Sequence, residues 1–252
     1  MEARVSDAYA GLARVYNVLL GDLEQWSEQW YARIGGYLEG IPRGARILDC
    51  ACGTGAQAYA LASNGHEVTA ADASGEMLDE ARALFNDRGL EVPTRRCRWT
   101  ELPEAVGGDF DVVLCLGNSI SHCPDTEAMT AALGAMRRVT KPGGRLLVDS
   151  RSWETLMESR PRFSVGSPRL FQGVRTLPVY VWSLADWGCR STAEILFVFE
   201  HEPVPTFSSY TIEMFPFRRR KLEAVLTRCG FTDIVVWPFE QGDRYCVVCR
   251  AE

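Results

Sequence analysis

The chain has 252 residues, of which 46% are hydrophobic and 24% charged, usage that suits one substantial folded core with an appendage and excludes a disordered chain. Its 27 Lys and Arg against 33 Asp and Glu leave a net charge of -6, which lacks the positive footprint of a general nucleic-acid binder. No apolar stretch approaches the ~20 residues of a bilayer span, and the first thirty residues contain acids and Trp but no apolar leader core. We therefore expect a soluble, cytoplasmic protein acting on a small molecule, with neither a nucleic-acid nor a membrane partner.

The first forty residues carry Tyr9, Tyr16, Trp26, Trp30, Tyr31 and Tyr37 and predict helices packed across a sheet edge or over its ligand crevice. Residues 45–50 read as a strand that ends in a Gly-rich turn, with a helix over 56–64. A second strand follows over 66–71, and Ser74 with Glu76 opens a helix that runs to about residue 88. The near-continuous apolar run 110–116 suits a strand covered on both faces. Residues 126–139 predict a helix, stopped by Lys141-Pro142-Gly143-Gly144 before a strand over 145–149. This alternation implies an α/β fold, Rossmann-like, with a doubly wound and mostly parallel sheet.

Beyond residue 151 the pattern changes. Pro161, Pro168 and Pro178 punctuate aromatic and β-branched segments at 179–182, 193–200 and 209–215, which read as inserted antiparallel strands. Residues 218–229 predict a helix closed by Gly230, and 234–237 with 245–249 a closing hairpin. The expected organisation is an N-terminal helical lid (1–40), a cofactor-binding core (41–153), a β-rich substrate insertion (154–217) and a helix with strands completing the core (218–252).

The strongest site signal is Ile47-Leu48-Asp49-Cys50-Ala51-Cys52-Gly53-Thr54-Gly55, an apolar strand running into a glycine turn that opens a helix. Gly53 and Gly55 let backbone approach a ligand, and the helix amino end offers unpaired N–H groups. Asp72 closes the next strand about twenty residues on, where a carboxylate can accept from both ribose hydroxyls of an adenosine. A nicotinamide dinucleotide and S-adenosyl-L-methionine both satisfy this spacing. Asp49 favours the second, because its charge repels a pyrophosphate and suits an ammonium beside a sulfonium; no Tyr-xxx-Lys type pair supports the nicotinamide reading.

These residues, with Asp72-Ala73-Ser74, Met77-Leu78 and Lys141-Pro142-Gly143-Gly144, resemble the class I S-adenosylmethionine-dependent methyltransferases over roughly residues 40 to 150. Ala51 stands where many members have glycine. Leu116-Gly117-Asn118-Ser119-Ile120-Ser121-His122 is similar to the LGNSxxH segment of the glycine and sarcosine N-methyltransferases, and Leu147-Val148-Asp149-Ser150-Arg151-Ser152-Trp153 to their VIDHRNY segment. Arg98-Trp99 is similar to an Asn-Trp pair beside adenine in that group.

The resemblance implies S-adenosyl-L-methionine held by Asp49, Ala51, Gly53, Gly55, Asp72, Ala73, Met77, Arg98, Trp99, Leu116 and Ser119. It also implies an acceptor held by Tyr16, Asn118 and Arg151, with His122, Asn118 and Arg151 as the catalytic set. Arg151 would grip a carboxylate through its planar fork, and His122 would touch the acceptor or take its proton. Ser150 replaces the subgroup's His and Trp153 its Tyr, and the segment 21–25 offers no second arginine. The expected activity is N-methylation of glycine, sarcosine or a related amino acid; the alternatives are O- or N-methylation of a specialised metabolite and cofactor binding without catalysis.

Other candidates carry less. His66 and His201 read as structural. Cys246 and Cys249 lie three apart on a predicted strand and face opposite sides, and Cys50 with Cys52 lacks a second ligand pair, so no metal site is expected. Nine cysteines, an odd count lying mostly in apolar runs, read as reduced buried thiols. The run Arg218-Arg219-Arg220-Lys221 opposes the dipole of the helix it opens; it reads as a solvated face, with an acidic partner as the alternative. An exposed aromatic insertion would be compatible with a homo-oligomer.

Overall fold

The computed structural model describes Tyr9, residues 11–238 and residues 243–252. The chain enters through a short helix, Ala13–Tyr16, and a longer one, Leu23–Ile34, whose first turn is capped by Asp22 accepting from the Gln25 amide at 2.8 Å. It then builds strands β1 (Arg46–Asp49), β2 (Glu67–Asp72), β3 (Thr94–Arg96), β4 (Phe110–Cys115) and β5 (Thr140–Arg151). Helices Ala56–Ser63, Gly75–Asp87 and Thr126–Val139 lie between them, the last two capped by Ser74 and Asp125. Because β1 to β5 pair in parallel and need crossovers, these helices cover the sheet faces.

Strands β6 (Phe163–Val165), β7 (Arg169–Phe171), β8 (Val174–Ser183), β9 (Ser191–Phe199) and β10 (Thr206–Met214) form a separate antiparallel sheet. The chain then returns through helix Arg219–Arg228 to β11 (Phe231–Pro238) and β12 (Arg244–Ala251), an antiparallel pair that docks on β5. The central sheet has the order β11-β12-β5-β4-β1-β2-β3, so the connections diverge on either side of β1 and leave a crevice at the carboxyl ends of β1 and β4.

Successive side chains of each central strand enter opposite cores. Leu48, Val113, Leu146, Val148, Val247 and Cys249 face one cluster, and Ile47, Val112, Leu114, Leu147 and Cys246 the other. Cys246 and Cys249 thus lie on opposite faces, and among the described residues no cluster of His, Cys, Asp and Glu is placed to hold a metal ion. No described helix is long and apolar enough to cross a membrane.

Two expectations are corrected. Pro178 lies inside β8 instead of preceding it. Its carbonyl accepts from the Gly166 amide, so its missing N–H faces the gap between β6 and β7, where no partner strand needs a donor. Gly143 and Gly144 do not keep 140–144 out of the sheet, since β5 begins at Thr140, paired with Phe110 across an irregularity. The short β3 and the helix Leu102–Val106 have no expected counterpart, being too brief for periodicity to register. The basic run beginning at Arg218 finds local partners: Arg218 lies 4.4 Å over Trp187, the Arg219 amide donates to Glu154, and Arg219 pairs with Glu223 at 3.1 Å.

Candidate active site

One cavity of about 670 Å³ opens at the carboxyl ends of β1 and β4 and reaches under the inserted sheet. On the β1 side, Asp49 is fully buried behind the wall that Cys50 and Ala51 form and, against expectation, does not itself line the cavity. Its Oδ1 accepts from the Ala51 amide at 3.3 Å, while Oδ2 is buried with no partner. Burial pushes its pKa up to about 7, opposed by the Ala51 hydrogen bond. An orphaned, desolvated carboxylate behind a cavity wall favours a cationic group in that cavity through its charge.

Asp72 shapes the adjoining turn: Oδ2 accepts from the Gly53 amide and Oδ1 from the Ser74 amide, both at 2.9 Å. Burial raises its pKa, against those backbone donors. Gly53 sits at φ 53° with only the Met77 sulfur within 4 Å of where a Cβ would project, which leaves an open cradle. The Trp99 indole N–H donates to the Cys50 carbonyl at 2.8 Å and fixes the ring on the cavity wall. Arg98 is exposed at its rim, Ala51, Ala73 and Leu116 line it, and Ser119 lines it while its hydroxyl donates to the Leu116 carbonyl at 2.7 Å.

Gly55 departs from expectation. It does not line the cavity; at φ 87° it turns toward helix Gly75–Asp87, where a Cβ would come within 2.8 Å of Phe85 and 2.9 Å of Ala81. The residue is glycine because two elements pack there, not because a ligand approaches.

The β4 end is a satisfied polar clamp. Asn118, at φ 66°, donates through its amide nitrogen to Asp149 Oδ1 at 2.6 Å, and its side-chain oxygen accepts from the Arg151 amide at 2.9 Å and the Ser150 hydroxyl at 3.2 Å. Its Nδ2 donates to Ser121 and lies 3.6 Å from the Met214 sulfur. With these bonds made, Asn118 ties β4, β5 and β10 together and holds the direction of Arg151. Ser150 serves this clamp and Trp153 lies in the core with no exposed surface; neither lines the cavity, so both departures from the subgroup's pattern fall outside its wall.

The Arg151 guanidinium lies 5.2 Å over the Trp182 ring and 5.6 Å over the Tyr180 ring, which are themselves stacked, and no described carboxylate pairs with it. Burial, then the nearby Arg244 charge, lower its pKa from the ordinary arginine value. The inserted sheet therefore supplies an aromatic platform for an arginine of the core strand.

His122 is half-buried with both nitrogens engaged. Nδ1 faces the Glu213 carbonyl at 2.8 Å and so carries the proton, and Nε2 accepts from the Tyr9 hydroxyl at 2.8 Å. Burial lowers the His122 pKa and raises that of Tyr9, while Tyr16 is pushed up to about 12. Tyr9, Tyr16, Trp26, Trp30 and Tyr37 all line the cavity, so the N-terminal segment closes over the crevice; Thr54 of the glycine turn ties to it by donating to Asn17. Tyr31 instead meets His66 at 3.0 Å, and His201 stacks on Phe199, both away from the cavity.

Residue reasoning missed Tyr9 as a partner of His122, and it missed Arg33, Arg169 and Arg244 at the cavity wall. The segment 21–25 carries no arginine, and β12 and the inserted sheet instead bring Arg244 and Arg169 to the wall from elsewhere in the chain.

The family described as a methyltransferase domain matches residues 47–144. The chain is 29% identical to a glycine/sarcosine N-methyltransferase of Aphanothece halophytica, covering 94% of this chain and 86% of that protein. It is 32% identical to the protein of the same name from Parasynechococcus marenigrum, covering 83% and 73%. Among solved structures, an S-adenosylmethionine-dependent methyltransferase from Clostridium acetobutylicum superposes with a TM-score of 0.74 at 19% identity, covering 96% of this chain and 98% of the other. A sugar N-methyltransferase from Streptoalloteichus sp. gives 0.70 at 21%, covering 90% and 87%. The orphaned Asp49 oxygen and the open Gly53 cradle suit a cationic adenosyl ligand, and with a relative matched across most of both lengths the chain belongs to the S-adenosylmethionine-dependent methyltransferases.

Proposed function

We propose that the enzyme N-methylates a small amino acid, glycine or sarcosine being the leading acceptors. The observation that carries this reading is Arg151: it lines the cavity with its backbone amide held by Asn118 and its guanidinium over the Tyr180–Trp182 platform, and among the described residues no carboxylate forms an ion pair with it. A ligand carboxylate would supply the missing charge. The similarity to glycine/sarcosine N-methyltransferases over most of the chain supports the same acceptors.

In this reading Asp49, Ala51, Gly53, Asp72, Ala73, Met77, Arg98, Trp99, Leu116 and Ser119 surround S-adenosylmethionine, which when bound supplies an electrophilic methyl on a sulfonium. When it is bound, the Asp49 charge would attract its positive end from behind the wall, and the Asp72 lone pairs left beyond the two backbone donors would accept from its ribose hydroxyls. Arg151 and Tyr16 fix the acceptor, and alignment supplies much of the acceleration, on the scale of several kcal/mol. The acceptor must lose a proton from its ammonium. Tyr9 and His122 form the relay: the amine proton passes to the Tyr9 oxygen as the Tyr9 proton moves to His122 Nε2, and the Glu213 carbonyl holds the resulting imidazolium.

A larger amine of a specialised pathway is a second reading, favoured by the extent of the cavity beyond Arg151, where Pro178, Ile195 and Ile212 line it. S-adenosylhomocysteine formation with glycine, sarcosine, dimethylglycine and a panel of larger amines and hydroxy acids decides between them. Turnover of glycine or sarcosine supports the first reading; turnover confined to larger acceptors replaces it with the second.

A further inference from the structure

We infer that Arg244 is a second anchor for the acceptor's carboxylate, gripping it together with Arg151; this rests on the proposal that the acceptor carries one. Arg151 and Arg244 are direct cross-strand partners at the ends of the antiparallel pair β5 and β12, and both side chains line the cavity. Like charges placed directly opposite destabilise a sheet, so an arginine pair at this position calls for a compensating anion.

The described residues supply only part of that compensation. Asp149 Oδ2 lies 3.6 Å from the Arg244 guanidinium, while Oδ1 accepts from the Asn118 amide. Arg244 Nε is buried and has no hydrogen-bond partner. Asp243 lines the same region and its charge acts on Arg151, but it is exposed, where solvent screens that charge. Among the buried groups described, two guanidiniums against Asp149 leave one positive charge, which one carboxylate neutralises. Its two oxygens can bridge the guanidiniums of Arg151 and Arg244. Tyr16 lines the same cavity, and the Arg244 charge acts to lower its pKa against the dominant effect of burial.

The two arginines come from distant parts of the chain, so neither a motif nor a spacing joins them. Through Asp149, Arg244 also steadies the Asn118 clamp that directs Arg151, since the carboxylate it pairs with is the one that accepts from the Asn118 amide. Arg244 thus acts on the acceptor both directly and through its partner.

The test compares wild type with Arg244→Gln and Arg244→Lys, each first shown to bind S-adenosylhomocysteine. Acetate is titrated calorimetrically into the protein loaded with S-adenosylhomocysteine, as a probe of the carboxylate site alone. Initial rates are then measured with glycine, sarcosine and any carboxylate-free amine that turns over. We expect Arg244→Gln to weaken acetate binding tenfold or more and to raise KM for a carboxylate-bearing acceptor by a similar factor. Cofactor affinity should stay within twofold, kcat within about threefold, and KM for a carboxylate-free amine unchanged. Arg244→Lys, which keeps the charge but loses the fork, should fall between.

Acetate binding and KM unchanged in Arg244→Gln overturn the pair, as does a wild-type protein that binds no acetate. Wild-type acetate binding lost in Arg244→Gln, without turnover of glycine or sarcosine, keeps the arginine pair and rejects those acceptors. Glycine turnover with acetate binding indifferent to Arg244 does the reverse.

Discussion

Asp49 combines a fully buried carboxylate, an orphaned oxygen and a pKa near 7. Its folded value lies above the unfolded one, so its contribution favours the fold at low pH and is lost as pH rises through about 7, with a slope of up to about 1.4 kcal/mol per pH unit between roughly pH 4 and 7. The cofactor-free protein should therefore lose thermal stability over that window, and Asp49→Asn should flatten the loss. A cationic ligand inverts the preference by stabilising the carboxylate. Cofactor binding should release a proton near pH 6 to 7, measurable by calorimetry in buffers of different ionisation enthalpy, and Asp49→Asn should abolish that release. Gly55 gives a second prediction: Gly55→Ala meets both a left-handed backbone and the Phe85 ring, and should destabilise by about 2 kcal/mol or more in denaturant titration. A ligand-facing glycine would instead lose cofactor affinity with little change in stability.

Between elements, the inserted sheet is coupled to the core through Arg151. Trp182→Ala should remove the face over which the guanidinium lies, raising KM for a carboxylate acceptor by about fivefold to tenfold, a loss on the scale of a desolvated cation–π contact. Cofactor affinity, measured in parallel by calorimetry, should hold, because Trp182 belongs to the inserted sheet while Asp49 and Asp72 end core strands. The Tyr9–His122 pair spans the N-terminal segment and the turn after β4. Tyr9→Phe keeps the ring and removes the relay, so it should lower kcat by tenfold or more and alter its pH profile while KM changes little. An unaltered kcat would reduce Tyr9 to packing.

For the molecule as a whole, the cavity is bounded by the N-terminal segment, the central sheet and the inserted sheet together. A ligand filling it stabilises their mutual arrangement by mass action: at a hundredfold excess over Kd, S-adenosylhomocysteine should add about 2.7 kcal/mol and raise Tm by roughly 5 to 10 °C for a chain of this size. Scanning calorimetry with and without the ligand checks this; a shift below about 2 °C at saturation would contradict a site closed by all three parts.

The local sequence determined what depends on near neighbours. Alternating apolar strands and capped helices specified the central fold, because burial on both faces of a parallel sheet and the N-caps at Ser74 and Asp125 are written within a few residues. The glycine turn and Asp72 likewise marked the cofactor side, since strand ends in such sheets meet at one edge. Tertiary structure alone decided the rest. It turned Gly55 toward Phe85 and made Asn118 a clamp. It laid Tyr180 and Trp182 under Arg151, joined Tyr9 to His122, and set Arg244 across from Arg151. Each of these is a contact between residues far apart in the chain, fixed by strand pairing and packing, and no pattern of local spacing records which distant partner a side chain will meet.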